Sequence, residues 1–183
     1  DMLTPVAAGT PATATDLAAA IANAAQTATY AYAYDANQQL LMRTDPDGQR
    51  QWLLHDASGR VVAEIDATGA LTETTYNSRD QATRTVRYAT RVDTARLVRS
   101  DGMPTTGLNP NPAAALTVPN AVTLATLRPV PSAADQSTWT LYDAAGRTEA
   151  SIDALGYVTR TVYDSAGRTT GTIRYEQGVD TSL

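Results

Sequence analysis

The sequence predicts a mainly β protein, in which tandem antiparallel β-hairpins lie side by side in a twisted strip with one or two short helical inserts. Three observations predict it. First, one turn pattern recurs: Asp, two variable residues, then Gly. It stands at Asp45–Gly48, Asp56–Gly59 and Asp66–Gly69, and again at Asp143–Gly146, Asp153–Gly156 and Asp164–Gly167. Two weaker copies, Asp35-Ala36-Asn37-Gln38 and Asn77-Ser78-Arg79-Asp80, lack the Gly. Second, successive starts are alternately 10 and 11 residues apart, so two turns make a 21-residue unit. Third, the segments between turns are rich in Thr, Val, Ile and Tyr, which suit a pleated surface.

The turn residues have a local chemical reason. An Asp or Asn at the first position accepts hydrogen bonds from backbone N–H groups further along the turn. The Gly supplies a positive φ, which costs other residues more. A turn of this kind closed by a bulge is a common short hairpin connection. The periodicity therefore predicts sequential antiparallel strands at 38–45, 49–56, 59–66 and 70–77.

Taken in order, residues 1–29 form an insert. Its 16–27 stretch places Leu17, Ala20, Ile21, Ala24 and Ala25 on one face of a short helix capped by Thr15 or Asp16. Residues 30–92 are a first repeat block. Residues 93–138 are a Pro- and Ala-rich insert, loop-like from Met103 to Pro112, with a short helical segment near Asn120–Leu127 that Pro129 and Pro131 end. The inserts are expected to cover the sheet, with a binding surface as the rival reading. Residues 139–183 are a second block. Trp52–Arg60 matches Trp139–Arg147, Arg87-Tyr88 matches Arg174-Tyr175, and Val92-Asp93-Thr94 matches Val179-Asp180-Thr181, all at an offset of 87 residues. Such nesting is expected of a slice from a longer array, whose natural partners are neighbouring repeats of the same protein.

Composition narrows the function. The chain has 183 residues and no Cys, which removes disulfide frameworks and thiolate metal sites. A net charge of −5 argues against a nucleic-acid surface. All 14 basic residues are Arg, which can lie flat on a sheet and bond bidentately. No stretch approaches the roughly 20 apolar residues of a membrane span.

The residues offer little for catalysis, cofactors or metals, and none of the three is expected. His55, the only His, stands where other units have Tyr34, Tyr76, Tyr142 and Tyr163, so it reads as an aromatic-slot substitution. One His without Cys does not build a zinc site or a His-based catalytic set. The Asp residues are explained by turns, and the Asp45/Asp47 pair has too few ligands for a hard cation. Tyr30, Tyr32 and Tyr34 alternate on one strand face, a ladder able to stack sugars but expected to serve cross-strand packing. In Tyr157–Tyr163 one face carries Tyr157, Thr159, Thr161 and Tyr163, and the other Val158, Arg160 and Val162. Two half-polar faces suit a wall better than a dense core.

The units Tyr142-Asp143-Ala144-Ala145-Gly146-Arg147 and Tyr163-Asp164-Ser165-Ala166-Gly167-Arg168 resemble the RHS/YD-repeat family. His55–Arg60 fits with one substitution. The resemblance covers roughly 34–88 and 139–175. It implies a β-strip wound into a spiral shell, as in bacterial insecticidal toxin complexes, polymorphic interbacterial toxins and, in related form, teneurins. It implies a secreted or cell-surface location and a non-catalytic scaffold role. The implied partner is an enclosed toxin domain, or further copies of the chain if the protein is an adhesin, filament or sheath subunit.

Overall fold

The computed structural model describes residues 13–15, 28–35, 37–105, 108 and 121–179. The strands are β1 Ala31–Tyr34, β2 Leu40–Thr44, β3 Arg50–His55, β4 Val61–Ile65, β5 Leu71–Tyr76, β6 Ala82–Arg87, β7 Gln136–Tyr142, β8 Thr148–Ile152, β9 Val158–Tyr163 and β10 Thr169–Arg174. They make one ten-stranded sheet in strict sequence order, antiparallel throughout. The sheet is open, with β1 and β10 at its edges. The four strands expected between 38 and 77 are present as β2 to β5. The expected helix at 16–27 lies outside the described residues.

The second insert does not interrupt the sheet. β6 pairs directly with β7, Arg84 opposite Trp139 and Val86 opposite Ser137, so the ladder is continuous across the insert. The loop holds a 3₁₀ turn at Thr94–Leu97, capped by the Asp93 side chain, and a bridge between Val98 and Pro104. A single helical turn at Leu124–Leu127 follows, shorter than the Asn120–Leu127 expectation, because Thr123 starts it with a capping box. It stops at Arg128, whose extended ψ is what a residue before a proline adopts.

The two sheet faces differ, and in the first block one of them carries a core. Following the register, Met42, Trp52, Ile65 and Leu71 line up across β2 to β5 on one face, beside Leu54, Ala63 and Val86. These residues form one buried cluster with Tyr88 and Val92 at the exit of β6 and with Leu97, Leu108, Val122 and Leu127 from the insert. The insert thus covers the first block's apolar face. A strand in isolation shows a half-polar face. The half-polar reading holds for β9, whose matching face has no such cover and stays partly exposed.

Candidate functional site

The repeated device begins in the turns. In each, the first residue's carbonyl accepts from the N–H three positions on, as Gly48 to Asp45 at 3.0 Å and Gly146 to Asp143 at 3.0 Å. The Asp carboxylate accepts from two more backbone N–H groups, for instance Ser58 at 2.9 Å and Arg60 at 3.0 Å onto Asp56. The Gly takes φ near +80° at all six predicted positions. In the two Gly-less copies Gln38 and Asp80 occupy the same region, at φ 64° and 61°. A left-handed non-Gly residue costs about 1–2 kcal/mol, against roughly 0.5–1 for the extra entropy of Gly. Gln38→Gly is therefore expected to raise stability by about 0.5–1 kcal/mol, read from the urea midpoint. Asp80→Gly should gain less, because Asp80 also pairs with Arg60 at 2.7 Å.

The two rims of the strip are not alike. Every hairpin whose turn follows the Tyr or His slot carries a register shift beside it, as between Leu54 and His55, Thr75 and Tyr76, and Leu141 and Tyr142. The hairpins turning at Asp45, Asp66 and Asp153 have none. On the bulged rim the Arg after the Gly joins three residues. Arg147 Nε donates to Asp143 Oδ2 at 2.7 Å, while its guanidinium lies 4.3 Å from the Tyr163 ring centroid. Arg60 does the same between Asp56 at 2.7 Å and Tyr76 at 4.9 Å. The Tyr hydroxyl in turn donates to a strand carbonyl, Tyr76 to Val61 at 2.8 Å and Tyr163 to Thr148 at 2.8 Å. The carboxyls of Asp143 and Asp164 are held below the ordinary carboxylate range, first by the backbone N–H of Arg147 and Arg168, then by their guanidinium groups. Where Arg follows the Gly, as at Arg60 and Arg147, Tyr-Asp-x-x-Gly-Arg is thus an interlocking unit that ties one hairpin to the next. Sequence reading found the turn but missed this linkage. Its available signal was Arg four residues after Asp and Tyr sixteen after Arg.

Glu73 sits on the apolar face, opposite Ala63 and Val86. Burial pushes its carboxyl up, but hydrogen bonds from Arg128 and Tyr88 overcome this and hold it below its usual value. Arg128 grips it with two nitrogens, Nε to Oε2 at 2.8 Å and Nη2 to Oε1 at 2.5 Å, and the Tyr88 hydroxyl donates at 2.7 Å. Burial, then the neighbouring carboxylate, push Tyr88 up to about 12. A partly buried carboxylate is tolerated only when paired in this way. Here the pair pins the insert to the sheet.

His55 is buried at the end of β3, in the slot filled by Tyr elsewhere. Burial holds its imidazole below the ordinary 6.5, against the opposing pull of Asp35 and Asp56. The unfolded chain then takes up this proton near pH 6.5 and the folded chain only at lower pH. The stability tied to neutral His55 is complete above pH 6.5 and is lost as pH falls through the folded value. His55→Tyr, whose hydroxyl would reach the Leu40 carbonyl by the spacing of Tyr76 to Val61, is expected to remove this step. Urea unfolding at pH 7.5 and 5.0 checks it: the wild type should lose stability between them that the variant keeps.

Tyr30, Tyr32 and Tyr34 are exposed, on the side of β1 away from buried Ala33. Among the described residues β1 is an edge strand, paired only with β2. No preceding strand among the described residues offers Tyr34 the carbonyl that Tyr76 and Tyr163 find. Among the described residues no three His, Asp or Glu side chains gather to hold a metal ion. No helix among them is long and apolar enough to cross a membrane.

No protein-family model matches the chain, and no curated protein does. Solved structures do. The chain is similar to TcdB2-TccC3 without its hypervariable C-terminal region, at 14% identity over 80% of this chain and 8% of that one, with TM-score 0.38. It is similar to TcdB2-TccC3-Cdc42, at 18% identity over 88% and 10%, with TM-score 0.30. It is also similar to a Tc holotoxin pore of Photorhabdus luminescens, at 17% identity over 87% and 9%, with TM-score 0.30. The chain spans about a tenth of the length of each.

Proposed function

We propose that the chain is a non-catalytic structural segment of a large RHS/YD-repeat protein, part of the wall of a secreted or surface toxin shell. One observation carries the scaffold reading. Ten strands pair only with their sequence neighbours, the interlocking Tyr-Asp-x-x-Gly-Arg linkage recurs at Arg60 and Arg147 along one rim, and other side chains join the rim across the looped-out insert. There Gln81 donates to the Gly146 carbonyl at 2.7 Å and Arg79 to the Ala144 carbonyl at 2.8 Å. A strip of this kind lengthens by adding hairpins without changing its geometry. Its conspicuous side chains are engaged in turns, stacks and insert pinning rather than gathered around a cleft.

The toxin part of the reading rests on the repeat resemblance, and limited proteolysis of the full-length protein tests it. A non-repeat C-terminal domain that resists protease until urea opens the repeats supports an enclosing wall. Repeats that run to the end of the gene, with no enclosed domain, overturn it in favour of a filament or adhesin. A second reading, glycan stacking, is favoured only by the exposure of Tyr30, Tyr32 and Tyr34. Binding on a glycan array that disappears when Tyr30 and Tyr32 are both changed to Ala supports it, and no binding rejects it.

A further inference from the structure

The two blocks have the same apolar face but only one is covered. Leu54 is 0% exposed and its counterpart Leu141 48%. Val86 is 8% exposed against 45% for Ile173, and Tyr88 8% against 43% for Tyr175. In the first block Leu97, Leu108, Val122 and Leu127 of the insert fill the face. In the second, the matching place is an open concavity bordered by Ala150, Val158, Arg160 and Val179.

The entrance to the cover is nevertheless built in both. Tyr88 N–H donates to the Leu71 carbonyl at 3.0 Å, and Tyr175 N–H to the Val158 carbonyl at 2.9 Å. Val92 N–H donates to the Gly69 carbonyl at 2.8 Å, and Val179 N–H to that of Gly156 at 2.9 Å. At both Gly69 and Gly156 an added Cβ would lie 2.3 Å from the valine carbonyl oxygen. After Val92 the chain turns at once onto the face through Asp93 and Thr94. After Val179 the sequence repeats those two residues, Asp180 and Thr181.

Two positions on the face differ in kind: Arg84, over Trp139 in the first block, is replaced by Gly171, and an acid is replaced by a base. Glu73, which Arg128 grips, is replaced by Arg160 in the second block, whose nearest carboxylate is Glu149 at 3.6 Å. A cover bearing arginine at the place of Arg128 would bring two cations together, whereas one bearing a carboxylate there would restore the pair with its charges reversed.

We propose that the exposed face of the second block is the seat of an insert of the same build as 93–128, entered from Val179. This insert carries leucine-like residues where Leu97 and Leu127 stand and a carboxylate where Arg128 stands. Each 87-residue block then takes its own lid, keyed to its sheet by one charge pair. The proposal rests on the repeat-scaffold reading and adds what covers the strip.

The test extends the chain after Thr181 with a second copy of residues 95–135, either unchanged or carrying Arg128→Glu in the added copy. Hydrogen exchange is followed at Ile152, Val158 and Ile173, with β3 to β5 as the internal control for folding. The Glu version is expected to slow exchange at these amides at least tenfold. The Arg version should slow it less, and Leu97→Ala in the added copy should cancel the gain. With β3 to β5 protected, unchanged exchange in both versions overturns the proposal. So does equal protection by Glu and Arg, which removes the charge key. Concentration-dependent protection in the unextended chain also overturns it, because the occupant is then a second copy. Failure of the wall reading would appear in the proteolysis of the full-length protein and leave these amides untouched.

Discussion

Gly69→Ala is expected to cost about 3 kcal/mol, from the strain of the turn together with its contact with the segment leaving β6. Gly69 has φ +82°, and a Cβ there would lie 2.3 Å from the Val92 carbonyl oxygen. The backbone strain alone is worth about 1–2 kcal/mol. Relieving the clash means moving Val92, which gives up its 2.8 Å hydrogen bond to the Gly69 carbonyl, about 1 kcal/mol more. Val92 is also buried in the core cluster, so the shift loosens the start of the lid. Gly48→Ala is the control. It has φ +80° with nothing within 4 Å of the added Cβ, so it should lose only the strain of about 1–2 kcal/mol. Urea midpoints of the two variants separate these contributions. Equal losses would mean that the segment at Val92 yields freely and does not hold the turn.

Leu54→Ala and Leu141→Ala change the same repeat position and are expected to differ severalfold. Leu54 is wholly buried between the sheet and the insert, so truncation should leave a cavity and cost about 3 kcal/mol. Leu141 is about half exposed, and its truncation should cost less than about 1 kcal/mol. The comparison holds strand register, turn type and neighbouring sequence nearly constant, so it isolates the effect of the cover. A loss at Leu141 as large as at Leu54 would show that the second face is already filled in solution. A small loss at both would show that the lid contributes little to the first block.

Read by itself, the sequence was a good guide wherever the cause is local. Asp and Gly at a four-residue spacing set each turn through bonds to their own backbone, and the β-rich segments between them could only run back and forth. The positions of β2 to β5 were legible for that reason, as was the aromatic slot at His55. The matching 87-residue blocks were legible because each copy repeats the same local chemistry.

Tertiary structure decided what depends on residues far apart. Whether a strand's apolar face is buried is settled by the insert folding back on it, and Arg128 meets Glu73 across 55 residues of chain. Leu54 and Leu141 have similar sequence surroundings and opposite environments. The passage of the sheet from β6 straight to β7 likewise follows from pairing across the insert. So does the stacking of Arg147 on Tyr163 and of Arg60 on Tyr76. Turn chemistry acts over a few bonds and is written in adjacent letters, whereas burial and charge pairing act between surfaces that exist only once the strip has formed.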